Sequence, residues 1–150
     1  MKVSLRATYG ILAALDLALH TSTSPVQAKA IAQRQGIPGR FLEQVLHAMK
    51  RAGLVESLRG AQGGYLLNKP PAEVSLAQIL EALDGPLTPL SSGRSRSRRL
   101  RGKGRVEALL GEVWQRVQQA ELEVLNAVTL KDLVERQRGL EGEDALMYHI

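Results

Sequence analysis

IPGRFLEQVLHAMKRAGLVESLRGAQGG, residues 37–64, is the stretch on which the reading of the chain turns. At 100° per residue Leu42, Val45, Leu46 and Met49 fall together, at the i, i+3, i+4, i+7 spacing of a buried helical stripe. Arg40, Gln44, His47 and Arg51 fall opposite, with Glu43 and Lys50 on one flank and Phe41 on the other. Pro38 suits the first turn, where a backbone N–H is not needed, and Gly53 suits a left-handed residue just past the end. One face therefore enters a core while the other holds out long hydrogen-bonding side chains. Leu54–Arg59, the glycines at 60, 63 and 64, and Tyr65–Leu67 then read as a β-hairpin with a basic tip.

Alone, this could be a solvated amphipathic helix followed by an ordinary glycine hairpin. The residues upstream add context. Val26–Gln35 reads as a second short helix with Ala28, Ile31 and Ala32 inward, closed by Gly36 and joined to the first through Gly36-Ile37-Pro38. Helix, short Gly-containing turn, helix is the pattern of a helix-turn-helix, and a basic wing follows it directly. In the wing, Arg59 is the side chain best suited to the deep negative potential of a narrow minor groove, and Gln62 can reach a phosphate or a base edge. The three glycines would let the backbone turn sharply and approach DNA closely.

Composition fits this reading. Lys and Arg number 20 against 15 Asp and Glu, a net +5 that suits a polyanion partner without specifying a sequence. Aromatics make up 3% of residues, too few for single-strand stacking platforms. No apolar run reaches membrane-span length and no signal-peptide pattern opens the chain, so a cytoplasmic protein without a membrane partner is expected. The absence of cysteine excludes disulfides and thiolate chemistry. The three histidines, His20, His47 and His149, lack ligand spacing, and no metal or cofactor is expected.

In chain order, Ser4 or Thr8 caps a first helix running to about His20, with Leu5, Tyr9, Leu12, Leu15 and Leu19 as its buried stripe and Ile11 and Ala18 widening it. After the wing, Ser75 and Gln78 form a capping box for a helix that buries Leu76, Ile79, Leu80 and Leu83 and stops at Gly85. Residues 86–104, PLTPLSSGRSRSRRLRGKG, are rich in Pro, Ser, Gly and Arg, and read as a flexible basic loop that either touches phosphates or is a solvated linker. Val106, Leu110, Val113, Val117, Ala120 and Val124 then step by 4, 3, 4, 3, 4, a heptad seam suited to a dimer interface. Leu109, Trp114 and Leu125 broaden it, and packing back on its own domain would account for part of that surface. Thr129 with Asp132 caps a short helix carrying Leu130, Leu133 and Val134. Beyond Gln137 the chain turns polar before an apolar end, Met147-Tyr148-His149-Ile150.

The opening MKVSLRATYGILAALDLA, then IAQRQGIPGRFLEQVLHAMKRAGLVES, RGAQGGYLL and LAQILEALDGPLTP, together resemble the BadM/Rrf-type family of winged helix-turn-helix regulators over essentially the whole chain. The resemblance implies a homodimeric repressor or activator reading a palindromic operator in double-stranded DNA, and a role for Glu43 in tuning sequence choice. Members that hold an iron–sulfur cluster place its cysteines in the segment equivalent to 86–104, where this chain has none. The tail ALMYHI resembles the cysteine-metabolism repressors of the family, which act in complex with O-acetylserine (thiol)-lyase. That likeness implies a partner role for Tyr148, as aromatic contact area, and for Ile150, as a carboxylate on backbone donors with its side chain in an apolar pocket. The same tail could instead fold back on a dimer partner.

The expected fold is mainly α with a small β-hairpin wing: a winged helix-turn-helix DNA-binding domain over 1–85, the flexible loop over 86–104, a long dimerisation helix with a short following helix over 105–137, and a C-terminal tail over 138–150. DNA contacts are expected from Arg40, Phe41, Glu43, Gln44, His47, Lys50, Arg51, Arg59 and Gln62, with Lys50 nearer the phosphates. Arg suits guanine, Gln adenine, Glu the cytosine amine and Phe a thymine methyl. A nonspecific or architectural DNA-binding protein is the competing reading, favoured by the arginine run. With no nucleophile–base pair, and with glycines that lead into a strand instead of a helix, an enzyme is not expected.

Overall fold

The structure, a computed structural model, describes residues 2–20, 24–87 and 104–148. Among these described residues, six α-helices and one hairpin follow in order: α1 Leu5–His20, α2 Ala28–Gln35, α3 Gly39–Arg51, β1 Val55–Leu58, β2 Gly64–Leu67, α4 Leu76–Asp84, α5 Gly104–Ala127 and α6 Leu130–Tyr148, with one 3₁₀ turn at Pro71–Glu73. The core gathers Leu17 of α1, Ile31 of α2, Leu42, Val45, Leu46 and Met49 of α3, Val55 of β1, Val74, Ile79 of α4 and Leu130 of α6, all essentially without solvent exposure. Mainly α with a two-stranded wing is thus the observed architecture. Among the described residues no helix is long and apolar enough to cross a membrane.

Local chemistry accounts for the helix ends. Ser4 Oγ accepts from the Ala7 N–H at 3.0 Å, so Ser4 and not Thr8 caps α1, and its hydroxyl donates to Asp84 at 2.7 Å, fastening the start of α1 to the end of α4. Gly36 stands at φ 64° and Gly53 at φ 78°, in the left-handed region that a side chain would strain. The Ser75–Gln78 capping box is complete in both directions, and Thr129 and Asp132 form another.

Four expectations need correction. The buried face of α1 is not the leucine stripe: Ala7, Gly10, Ala13, Ala14, Asp16 and Leu17 are buried, whereas Leu5 is 62% exposed and Tyr9, Leu12, Leu15 and Leu19 are half-buried. Small residues face inward because other helices approach closely; a Cβ on Gly10 would run into Leu83 of α4. Second, α2 begins at Ala28, because Val26 is spent in an isolated β-bridge, exchanging both backbone hydrogen bonds with Tyr65 of β2 at 2.9 and 2.7 Å. That crossing explains Gly64, where a Cβ would stand 2.5 Å from the Val26 carbonyl oxygen.

Third, residues 138–148 are no irregular tail; the helix that starts at Leu130 runs through Gly139 and Gly142 to Tyr148. Residues 138–147 are exposed on all sides, Leu140, Leu146 and Met147 included. Two glycines cost a helix only about 1 kcal/mol each, which the intervening good helix formers offset. Fourth, Leu76 of α4 is only half-buried, its inward place being taken by Ala77. The basic run from Arg94 to Lys103 lies outside the described residues, as does Ile150.

Candidate nucleic-acid interface

Within the segment 37–64, exposed side chains run from the outer face of α3 to the wing tip. α3 buries Leu42, Val45, Leu46 and Met49 and leaves Arg40, Phe41, Glu43, Gln44, His47, Lys50 and Arg51 exposed. Two features anchor it at its ends. Phe41 in the first turn meets Tyr9 of α1, ring centroids 6.1 Å apart and tilted by 49°. At the other end Lys50 Nζ donates to Ser57 Oγ of β1 at 2.7 Å. Lys50 therefore couples the helix to the wing, a contact its spacing alone did not announce. Gly53 adds a third tie, its carbonyl accepting from the Asn68 side chain at 3.0 Å.

At the hairpin tip Arg59 and Gln62 are both exposed. The glycines divide the work there. Gly64 makes room for Val26, and a Cβ on Gly63 would strike the Leu58 carbonyl oxygen. Gly60 alone of the three, at φ 111°, faces open space and leaves the tip free for close approach by another molecule. The guanidiniums of this surface, Arg40, Arg51 and Arg59, form no ion pairs among the described residues, where the ion pairs join Asp16 to Arg34 and His20, and Lys131 to Glu135. Unpaired guanidiniums beside a hydrogen-bonding helix face are what a phosphate-lined groove requires.

Sequence reasoning passed over one buried group that holds this surface in place. Asp16 is the only charged side chain buried among the described residues. Arg34 Nε donates to its Oδ2 at 3.0 Å and Arg34 Nη2 to its Oδ1 at 2.7 Å, while Gln35 Nε2 donates to Oδ2 at 3.0 Å. Arg34 and Gln35 are the last residues of α2, next to the turn that aims α3. Burial alone would raise the Asp16 pKa, but the Arg34 and Gln35 hydrogen bonds outweigh it and hold the carboxyl below its usual range. The visible signal was an acidic residue inside the apolar run LAALDLAL.

A second surface lies on α5. Val106, Leu110, Val113, Val117, Ala120 and Val124 are all exposed, and so are Leu109 and Trp114 beside them. Half of the exposed large apolar side chains among the described residues sit on this helix, an arrangement that a lone chain leaves wet at a cost. Val117, Ala120, Glu121, Val124 and Leu125 line an open apolar hollow of about 440 Å³. Tyr148 ends α6, well beyond the part of that helix that joins the core.

Comparison with known proteins follows the same lines. The profile of the Rrf2 family, described as an iron-dependent transcriptional regulator, matches residues 3–136. The HTH-type transcriptional regulator CymR of Bacillus subtilis is 33% identical over 150 residues, all of both chains. The solved structure of B. subtilis CymR, described as the global cysteine regulator, superposes with a TM-score of 0.75 at 32% identity over 91% of this chain and 98% of that one. T. potens IscR gives 0.71 at 36% identity, covering 91% of this chain and 88% of that one. The residues present do not suit iron held as a cluster: the chain has no cysteine, and no group of three His, Asp or Glu among the described residues could hold a metal ion.

Proposed function

This chain belongs to the Rrf2 family of transcriptional regulators, and from that membership we propose that it is a homodimeric, sequence-specific repressor that sets α3 in the major groove and the wing tip in the minor groove of a palindromic operator. It is a DNA-binding regulator and not an enzyme. The observation that carries the sequence-specific reading is the division of α3: four core side chains on one face, and Arg40, Glu43, Gln44, His47 and Arg51 exposed on the other. Base edges offer donor and acceptor patterns that such side chains match, whereas an architectural protein needs only cations. The exposed α5 seam supports the dimer, since two such helices would bury each other's valines and leucines at about 1–2 kcal/mol per side chain.

The test is selection of bound fragments from the host genome by the purified protein at fixed salt. One inverted repeat should be enriched; recovery of bulk sequence without enrichment would favour the architectural reading. Gln44→Ala should then cost about 1–3 kcal/mol and relax preference at one base pair, read as a change in the selected motif. Arg59→Ala should weaken binding chiefly where the motif is A·T-rich.

The signal, in this reading, is sulfur status relayed by a protein partner. The likeness to a protein described as a cysteine regulator supports it, as does an α6 that runs well past its core-packed first turns before ending at Tyr148. O-acetylserine (thiol)-lyase would take the C-terminal carboxylate and side chain of Ile150 in its amino-acid site, with Tyr148 adding contact area. Calorimetric titration of the parent and of a form lacking Ile150 with the host's lyase tests this. Tight binding lost on removing Ile150 is expected; no binding by the parent, or none lost by the truncation, overturns it.

A further inference from the structure

The reading surface does not stop at α3. Tyr9, in the second turn of α1, sets its ring against Phe41 in the first turn of the recognition helix, so the two helices present a continuous surface there. Tyr9 is half-buried, yet its hydroxyl has no hydrogen-bond partner among the described residues. Arg6 stands three residues earlier, one turn along the same face of α1; it is exposed and has no ion-pair partner among the described residues. A tyrosine ring that needed only to pack could have been Phe. A guanidinium and a phenol one helical turn apart on the same face of α1, the phenol ring against the first turn of α3, match the donors that hold a DNA backbone phosphate.

We propose that Arg6 and Tyr9 form a phosphate clamp that extends the DNA interface onto α1 and fixes how the N-terminal turn of α3 enters the major groove. Arg6 supplies the charge, Tyr9 the neutral donor, and the Tyr9–Phe41 ring contact ties the clamped phosphate to the reading helix. Because phosphates carry no sequence information, the clamp sets affinity and orientation and leaves the preferred motif unchanged.

This rests on the DNA-binding surface proposed above, so the experiment separates the two. Binding of the selected operator is measured by fluorescence anisotropy from low to high salt for the parent, Tyr9→Phe, Arg6→Ala and Gln44→Ala, with melting temperature and sedimentation recorded for each. Tyr9→Phe keeps the ring and removes only the hydroxyl; it should bind at least about tenfold more weakly at the same melting temperature, the effect of losing a hydrogen bond to a charged group. Arg6→Ala should flatten the slope of log K against log salt by about 1.8, the signature of one lost phosphate contact in each half-site of the dimer-bound operator. Both variants should remain dimeric like the parent and select the same motif. Parent-like affinity and slope in both, while Gln44→Ala is weakened, would overturn the clamp and leave the α3 surface standing. A shift of the dimer equilibrium with DNA slope unchanged would also overturn it, because this face would then meet a second copy. Failure of the parent to prefer its operator would instead remove the surface on which the clamp depends.

Discussion

Replacing Val113 and Val117 together by Asp is expected to give a folded monomer that has lost operator binding. Both side chains are nearly half exposed in the single chain, at 46% and 45%, and neither belongs to the buried core, so the winged domain loses little when they change. In a dimer joined along the seam the same positions become buried, and carboxylates without partners there cost upwards of about 4 kcal/mol, about a thousandfold in the dimerisation constant. Sedimentation should report half the parent's mass with an unchanged melting transition of the winged domain. Operator affinity should fall towards the nonspecific level, because a single α3 engages one half-site. A dimeric double variant would exclude the seam, and with it the proposed use of α5.

Asp16→Asn is the second large effect. It removes one partner of a buried pair, a change that typically costs 3–5 kcal/mol; Arg34, 37% exposed, can turn to water, which places the expected loss near about 3 kcal/mol. The pair also makes stability depend on acid. Because the carboxyl is held below its ordinary value of 3.8, the folded protein keeps it ionised where the unfolded chain already takes up a proton. Its contribution is therefore complete above about pH 4 and is lost as the pH falls through the depressed folded value. Urea unfolding of the parent should show that decline, and Asp16→Asn should show a shallower one with lower stability at neutral pH. Equal stability of the two at neutral pH would mean that the clamp on α2 contributes little.

The features legible in the sequence were those set by local periodicity and local hydrogen bonding. The α3 faces follow from 3.6-residue spacing, the wing from glycine placement, and the two capping boxes from four-residue signatures. The reading failed where neighbours far along the chain decide. The α1 leucines have the right spacing for burial, but α1 crosses α3 and α4 closely, and close crossing selects Ala7, Gly10, Ala13 and Ala14 instead. Val26 carries no mark of the Tyr65 partner 39 residues away that holds it in a β-bridge. The polar stretch beyond Gln137 shows no apolar stripe to mark a helix, although its residues propagate one from the core anchor at Leu130. Of the reading surface, the exposed positions were all placed from spacing; what spacing could not give was Lys50 bound to Ser57, Phe41 against Tyr9, and the buried Asp16 that ties α1 to the end of α2.

The central claim is that a dimer presents two copies of α3 to two half-sites. Hydroxyl-radical footprinting of the parent on its selected operator tests it most directly. Two symmetric protected segments, centred about 34 Å apart or a multiple of that turn, are predicted, each with protection spreading into the minor groove beside the wing. Uniform protection along the fragment, or a single protected segment without a symmetry mate, would contradict the account.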